Sequence, residues 1–194
     1  STISFTTSAT SQFGERLKFS SFVYDSNAQK LVFCYINTNQ FRLYTKVGTI
    51  GTTSASWGSE VQIGSSSSVQ DVATTFDSTS NKIVVCYSDA SQYPYARVGT
   101  VSGTDISFGT SVVLESNQTV AVSIAYDSNS NKTVAFWRGT NNKCWAAVGT
   151  VSGTSISFGT KVQVSDGNEQ VRERPRAISA VFDPATNKVV VMFT

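Results

Sequence analysis

The densest group of charged side chains lies in residues 165–176. The segment carries both signs of charge, on Asp166, Glu169, Glu173, Arg172, Arg174 and Arg176. Because a guanidinium can donate two parallel hydrogen bonds to an oxyanion, the three arginines could hold a carboxylate or sulfate group. The alternative is a solvated loop whose charges pair with one another. The arginines of this segment are candidate ligand-binding residues.

A second candidate site combines an aromatic ring with amides. Trp137 is followed by Arg138, and Asn141 and Asn142 come shortly after. An indole face beside amide groups could form a platform for a sugar ring. The alternative is that Trp137 fills a core position, since tyrosines stand at the same place in the two preceding repeats.

Four aspartates recur at one place in the chain: Asp25, Asp77, Asp127 and Asp183. Paired carboxylates about 5–10 Å apart could hydrolyse glycosides. The alternative is turn capping, because aspartate bonds the backbone two residues on and all four follow the same aromatic position. That repetition favours the structural role.

Several kinds of chemistry are disfavoured by composition. The chain has no histidine, so histidine-activated nucleophiles and the commonest zinc ligand are absent. Its three cysteines do not indicate a disulfide framework, because the number is small and odd. Cys34 and Cys86 occupy the same position in successive repeats, and Cys144 lies on a different strand. We expect three buried thiols, no metal site and no cofactor.

The composition of the chain limits the classes of binding partner that we expect. Hydrophobic residues make up 40% of the 194 residues and charged residues 14%, with a net charge of +2 that is spread along the chain. The sequence has no basic stripe, which argues against binding to nucleic acid. It also has no run of about 18 apolar residues, so we expect no insertion into a membrane. A surface rich in serine, threonine and asparagine is typical of extracellular and virion β-proteins.

The chain is organised by an internal repeat. Residues 98–110 read VGTVSGTDISFGT and residues 148–160 read VGTVSGTSISFGT, with a looser copy at residues 47–59. The aromatic of this segment recurs about every 50 residues, at Phe5, Trp57, Phe108 and Phe158. A fixed period of this size indicates a repeat architecture.

Each repeat reads as four short strands. The first ends in an aromatic and aspartate, a polar turn closes on lysine, and the second is an almost continuous apolar run such as residues 83–87. Such a run is typical of a strand covered on both faces. Four antiparallel strands per repeat predict a β-propeller. The rival fold, a β-sandwich, should not show a strict repeat.

We therefore expect an all-β chain of about four blades in one domain, residues 1–194. The expected blades are residues 20–63, 71–114, 121–164, and 177–194 joined by 1–10. The last blade lacks one strand, so the chain is a ring with a defective closing blade, part of a larger array, or completed by a neighbouring copy. Terminal strand edges of this kind favour self-association.

The pattern of aromatic-Asp, Asn-Lys-Val-Val-Val and the VGTVSGT segment resembles the propeller-like repeats of tail-fibre and other surface proteins of marine bacteriophages and aquatic microbes. The resemblance covers nearly the whole chain. It implies an exposed attachment or fibre-building role, located outside the cell or on a virion surface. It supplies no catalytic motif.

The leading functional hypothesis is a non-enzymatic surface module that binds glycans, assembles with copies of itself, or both. The alternatives are a purely structural fibre or filament subunit and a sialidase-like glycosidase. Ligand contacts are expected in the variable loops at one end of the blades, which include residues 64–71, 115–120 and 165–176. Asn117 and Asn131 lie in glycosylation triplets, which matter only in a eukaryotic source.

Overall fold

A computed structural model describes residues 17–51, 54–64, 68–89, 91–119, 121–165, 170–172 and 176–194. These residues form an all-β architecture of four successive antiparallel sheets. The first sheet contains β1 (Leu17–Asp25), β2 (Lys30–Asn37), β3 (Arg42–Ile50), β4 (Ala55–Trp57) and β5 (Val61–Gln62). The second contains β6 (Val72–Asp77), β7 (Lys82–Ser88), β8 (Pro94–Ser102), β9 (Asp105–Phe108) and β10 (Val112–Val113).

The third sheet contains β11 (Val122–Asp127), β12 (Lys132–Arg138), β13 (Cys144–Ser152), β14 (Ser155–Phe158) and β15 (Val162–Gln163). The fourth contains β16 (Ile178–Asp183) and β17 (Lys188–Phe193). A 3-10 turn at Thr140–Asn142 is the one helical element within the described ranges. No helix in this part of the chain has the length and apolar character needed to cross a membrane.

The fourth strand predicted for each repeat is divided into two segments. Both β4 and β5 pair with β3, and the second and third sheets repeat this arrangement. The division falls at a glycine, and Gly58 N–H donates to the Val47 carbonyl at 2.8 Å. The expected order of strands is otherwise confirmed in the first three sheets.

The turn between the first two strands of each sheet is built as the sequence predicts. Asp25 Oδ1 accepts from the backbone N–H groups of Asn27 and Ala28, at 3.0 and 2.8 Å. The residue before the turn lysine is left-handed in all four turns, with φ of 55° at Gln29, 54° at Asn81, 56° at Asn131 and 54° at Asn187. Asparagine tolerates this conformation better than most residues.

The second strands lie in the core, as their apolar runs indicate. Val32 and Cys34 of β2 pack with Ile83 and Val85 of β7 between the first and second sheets. On the other face of β7, Val84 and Cys86 pack against the third sheet. Because each inner strand is covered on both faces, burial of its side chains stabilises two sheet contacts at once.

Glycines in the repeat permit two close approaches. A Cβ at Gly99 would lie 2.8 Å from Phe108 Cε1, because the aromatic ring of β9 covers the backbone of β8. A Cβ at Gly109 would overlap the carbonyl oxygen of Thr154 in the next sheet. The repeated glycines therefore follow from packing within and between sheets.

The described residues show a propeller-like arrangement and not a closed ring. The fourth sheet has two strands. The predicted closing strand at residues 3–5 lies outside the described residues, as does the whole segment 1–16. Among the described residues, the expected defective closing blade is therefore seen only as β16 and β17.

Candidate functional site

An aromatic pair recurs on the second and third strands of the first three sheets. The ring centroids of Tyr35 and Tyr44 lie 6.2 Å apart, and those of Tyr87 and Tyr95 lie 5.7 Å apart. In the third sheet, Trp137 stands opposite Trp145 in the strand register. The surroundings of this pair differ from sheet to sheet.

Beside the tyrosine pair of the second sheet lies a cavity of about 500 Å³, here called the open groove. It is lined by Gln62, Gly64, Tyr87, Asp89, Tyr95, Arg97 and Ser111. The first two residues belong to the first sheet and its following loop, and the others to the second sheet and its loops. The groove therefore lies at the junction of two sheets.

Small residues keep this groove open. Gly64 has φ of 75°, and a Cβ there would lie 3.4 Å from the Tyr87 hydroxyl oxygen. Ser111 follows the strand β9 on the other side. Neither side chain extends far enough to cover the Tyr95 ring, which is half-buried, whereas the Tyr87 ring behind it is buried.

The corresponding position between the second and third sheets is filled, and we call it the closed groove. Glu115 stands where the first sheet has Gly64, and Lys161 stands where the second has Ser111. Glu115 accepts from Trp137 Nε1–H at 2.6 Å and is ion-paired with Lys161. The Lys161 ammonium lies 4.5 Å from the centroid of the Trp145 ring. Two long side chains thus occupy the space that is empty in the open groove.

The carboxylate of the open groove is committed to its own loop. Asp89 Oδ1 accepts from the N–H groups of Ser91 and Tyr93, at 2.9 and 3.2 Å. The Tyr95 hydroxyl also bonds to the Asp89 side chain. These contacts hold the loop and fix the Tyr95 ring.

The arginine of the open groove is held at one nitrogen. Arg97 Nε donates to the Gly109 carbonyl at 2.7 Å, and the guanidinium carbon lies 5.8 Å from the Phe108 ring centroid. Arg97 is also one of the residues that line the cavity. The arrangement fixes a positive charge beside the tyrosine pair.

Both tyrosine hydroxyls are held in their neutral form. Burial raises the pKa of Tyr87 to about 12, although the nearby Arg97 charge opposes the shift. Burial, followed by the Asp89 charge, also raises the pKa of Tyr95. Each hydroxyl can therefore both donate and accept a hydrogen bond near neutral pH.

A second cavity, of about 390 Å³, lies among the first strands of all four sheets. At its edge Asp71 accepts from the backbone N–H groups of Val72, Val122 and Arg176, at 3.0, 3.2 and 2.9 Å. Burial raises the pKa of the Asp71 carboxyl to about 6, against the lowering effect of these donors. One carboxylate therefore joins the starts of the second, third and fourth sheets.

The structure corrects the aromatic platform expected at Trp137. This side chain is fully buried, so its ring offers no face to a ligand. Arg138 is also buried; it donates to the Val171 carbonyl at 3.1 Å and to the Asn142 side chain. Asn141 is exposed and left-handed, with φ of 60°. Arg138 and Asn142 are brought together, but as part of the loop's own hydrogen bonding.

The two arginine candidates that the structure describes have different partners. Arg172 is exposed, and its N–H donates to the Thr194 carbonyl at 2.7 Å. Arg176 is also exposed, with its guanidinium on the Ser20 carbonyl and 5.8 Å from the Phe19 ring centroid. Arg174 lies outside the described residues. Ligand binding by these arginines stays a prediction.

The remaining candidates have structural surroundings. Asp77, Asp127 and Asp183 accept backbone N–H groups of their turns, like Asp25, which confirms turn capping. Cys34, Cys86 and Cys144 are buried free thiols, as expected. Asn131 is exposed and Asn117 is half-buried. Their glycosylation stays a prediction.

Sequence reasoning missed Tyr87, Tyr95 and Arg97 as groove residues. The available signal was a comparison between repeats: Gly64 aligns with Glu115, and Ser111 with Lys161. Small residues at both positions mark the groove that stays open. The groove lies at the loop end of the blades, since Gly64 and Asp89 lie in such loops; ligand binding by the variable loops stays a prediction.

Comparison with known proteins supports the fold. No protein-family model matches the chain, and no curated protein matches it. Among solved structures, a variant of AofleA from Arthrobotrys oligospora with three arginines replaced by alanine is similar, with a TM-score of 0.61 and 16% identity. AofleA without these replacements gives a TM-score of 0.59 and 14% identity.

Both of these matches cover 89% of this chain and 48% of the AofleA chain, so the present chain spans about half the length of that protein. The Hadza microbial sialidase Hz136 is more distant, with a TM-score of 0.46 and 11% identity over 89% of this chain and 38% of its own. The chain thus has the all-β, propeller-like fold of the AofleA structures.

Proposed function

We propose that this chain is a saccharide-binding module and that the open groove is its ligand site. The observation that carries the proposal is the half-buried ring of Tyr95, which stacks on the buried Tyr87 and is left uncovered by Gly64 and Ser111. The equivalent aromatic pair of the third sheet is covered by Glu115 and Lys161.

The groove has the chemistry that a sugar requires. A pyranose ring presents C–H groups on one face, which pack on an aromatic ring, and hydroxyls at its edge. Gln62, Ser111 and the tyrosine hydroxyls each donate and accept hydrogen bonds, and Arg97 donates. A cavity of about 500 Å³ matches the size of pockets that take small ligands.

Binding without hydrolysis is part of the proposal. Glycoside hydrolysis commonly uses two carboxylates, and Asp89 is the single carboxylate among the residues that line the groove. The glycosidase alternative is tested with fluorogenic glycosides. Turnover that disappears in an Asp89→Asn variant of retained fold would favour it over the binding module.

The binding test uses a labelled chain on a glycan array, followed by titration of the best ligands. Tyr95→Ala removes one ring of the stacked pair and should abolish binding. Tyr126→Ala is the matched control, because the Tyr126 hydroxyl bonds to Thr79 Oγ1 at a turn at the other end of the blades. Absence of any array signal, or equal loss in both variants, would contradict the proposal.

A second candidate function, assembly, is favoured by the outward face of the fourth sheet: Ser179, Val181, Val190 and Met192. The three apolar side chains are 62%, 51% and 72% exposed. In the second sheet, Val84 and Cys86 at the positions of Val190 and Met192 are fully buried against the next sheet. The fourth sheet therefore exposes apolar side chains at positions that a neighbouring sheet covers in the second sheet.

We propose that the neighbour is the first sheet of a second copy, where Phe22 and Tyr24 are 54% and 53% exposed. The hydroxyls of Ser21 and Ser123 each accept a backbone N–H from the following sheet, at Thr74 and Ala180. Ser179 occupies the same position and is exposed. The second copy's Phe22 N–H is its matching donor. An attachment module and a structural fibre subunit both remain compatible with such assembly, on an extracellular or virion surface.

Light scattering tests this assembly. The chain should show twice its mass of 20.8 kDa, and Val190→Lys should reduce it to the single-chain mass. Val162→Lys, at another exposed valine, should not. Mixing the Val190→Lys and Tyr24→Lys chains should restore pairs, because one intact contact remains between them. A single-chain mass for the unaltered protein would overturn the idea.

A further inference from the structure

We propose that the ligand of the open groove is an anionic saccharide, a uronic acid or a sulfated sugar, whose oxyanion is bound by Arg97. This inference rests on the proposed function and specifies its ligand. It concerns a guanidinium on β8, outside the charged loop of residues 165–176.

The first step is the placement of the charge. Arg97 follows the stacked tyrosine by two residues on the same strand, so both side chains lie on the same face of the sheet. Its Nε is held by the Gly109 carbonyl at 2.7 Å. The bond orients the planar guanidinium before any ligand arrives, which lowers the entropy lost on binding.

The second step is the missing counter-charge. Among the residues that line the groove, Arg97 is the one cation and Asp89 the one anion. Asp89 is engaged by Ser91, Tyr93 and Tyr95. Within the described part of the chain, no carboxylate lies within 4.0 Å of the Arg97 guanidinium, so this groove-lining cation has no ionic partner there.

The third step is the contrast with the closed groove. The position of Arg97 is occupied there by Ala147, and the position of Asp89 by Gly139. The charge on Lys161 is paired with that of Glu115. Among the described residues, the open groove thus has a fixed guanidinium without an ionic partner, and the closed groove has none. Such a guanidinium can make a bidentate contact to a carboxylate or sulfate.

The test compares matched sugars by ligand-observed NMR titration at low salt. Methyl glucuronoside and methyl glucoside differ only at C6, which is a carboxylate in the first and a hydroxymethyl group in the second. Methyl glucoside 6-sulfate supplies the other oxyanion, and the galactose series is titrated in parallel. We expect at least one anionic sugar to bind about tenfold more tightly than its neutral partner. Added salt should weaken only the anionic sugar.

Arginine variants test whether Arg97 is the cation that binds the oxyanion. Arg97→Gln should remove the anionic preference, so that the anionic sugar and its neutral partner bind with equal affinity, while Arg97→Lys should keep part of the preference. Arg172→Gln is the control, an exposed arginine of the charged loop, and should have no effect. Loss of the preference in Arg172→Gln alone would overturn the assignment to Arg97.

The outcomes separate the two proposals. Equal affinity of neutral and anionic sugars, with Tyr95→Ala abolishing both, overturns the anionic ligand and leaves saccharide binding standing. A complete absence of binding, in both sugar series and on the glycan array, overturns the proposed function and this inference together.

Discussion

Glu115 and Lys161 form an ion pair that fills the closed groove between the second and third sheets. The Glu115 side chain is 8% exposed, whereas Lys161 is 37% exposed. At the equivalent place between the first and second sheets, Gly64 and Ser111 are small residues and the groove is open. Two substitutions between repeats therefore separate a packing contact from a candidate ligand site.

Removing this ion pair should open the closed groove. In a Glu115→Ala, Lys161→Ser double variant, Trp137 and Trp145 lose the side chains that cover them. We expect a red-shifted tryptophan emission and stronger quenching by acrylamide. Lys132→Ser is the control, because Lys132 bonds Thr150 Oγ1 at the other end of the sheet. Unchanged quenching in the double variant would show that other groups close the space.

The converse change should close the open groove. In Ser111→Lys, the new side chain should extend over the Tyr95 ring, as Lys161 extends over Trp145. We expect saccharide affinity to fall at least about tenfold with the unfolding free energy changed by less than about 1 kcal/mol, since the site is at the surface. Ser155→Lys makes the same chemical change at an exposed serine elsewhere. Full affinity in Ser111→Lys would place the ligand outside this groove.

The Asp71 carboxyl should make stability depend on pH. Its pKa is raised from 3.8 to about 6 in the folded chain. Between these values the folded state binds more protons than the unfolded state, so the unfolding free energy should fall as pH rises from 4 to about 6, by at most roughly 3 kcal/mol. Above that range its contribution should be constant.

Two measurements check this assignment. An NMR titration of the Asp71 carboxyl carbon gives its pKa directly. Denaturant unfolding of the unaltered chain and of Asp71→Asn, compared across pH, isolates the contribution of this group. A measured pKa below 4 would mean that the three backbone donors from Val72, Val122 and Arg176 outweigh burial.

Much of the fold follows from local sequence patterns. The strand–turn–strand unit could be predicted because Asp25 and its equivalents cap a turn that requires a left-handed residue before the lysine. Burial of β7 could be predicted because its residues are apolar on both faces. These features depend on neighbours within about ten residues, which a single sequence displays directly.

The open groove could not be predicted in the same way. It depends on Gly64 and Ser111, which are far apart in the chain and meet only across two sheets. Trp137 was expected as a possible platform because its residue type suits a sugar, yet its position on β12 is covered on both faces. Residue type suggested a ligand contact, and strand position decided against it.

Equivalent glycines in the second and third sheets should respond differently to a methyl group. At Gly109 a Cβ would overlap the Thr154 carbonyl of the next sheet, whereas at Gly159 the nearest atom is 3.8 Å away. Since overpacking typically costs about 1–3 kcal/mol, we expect Gly109→Ala to lower the unfolding free energy by that amount. Gly159→Ala should stay within about 0.5 kcal/mol of the unaltered chain. Denaturant unfolding of both variants makes the comparison, and equal losses would mean that the glycines serve backbone conformation and not the contact between sheets.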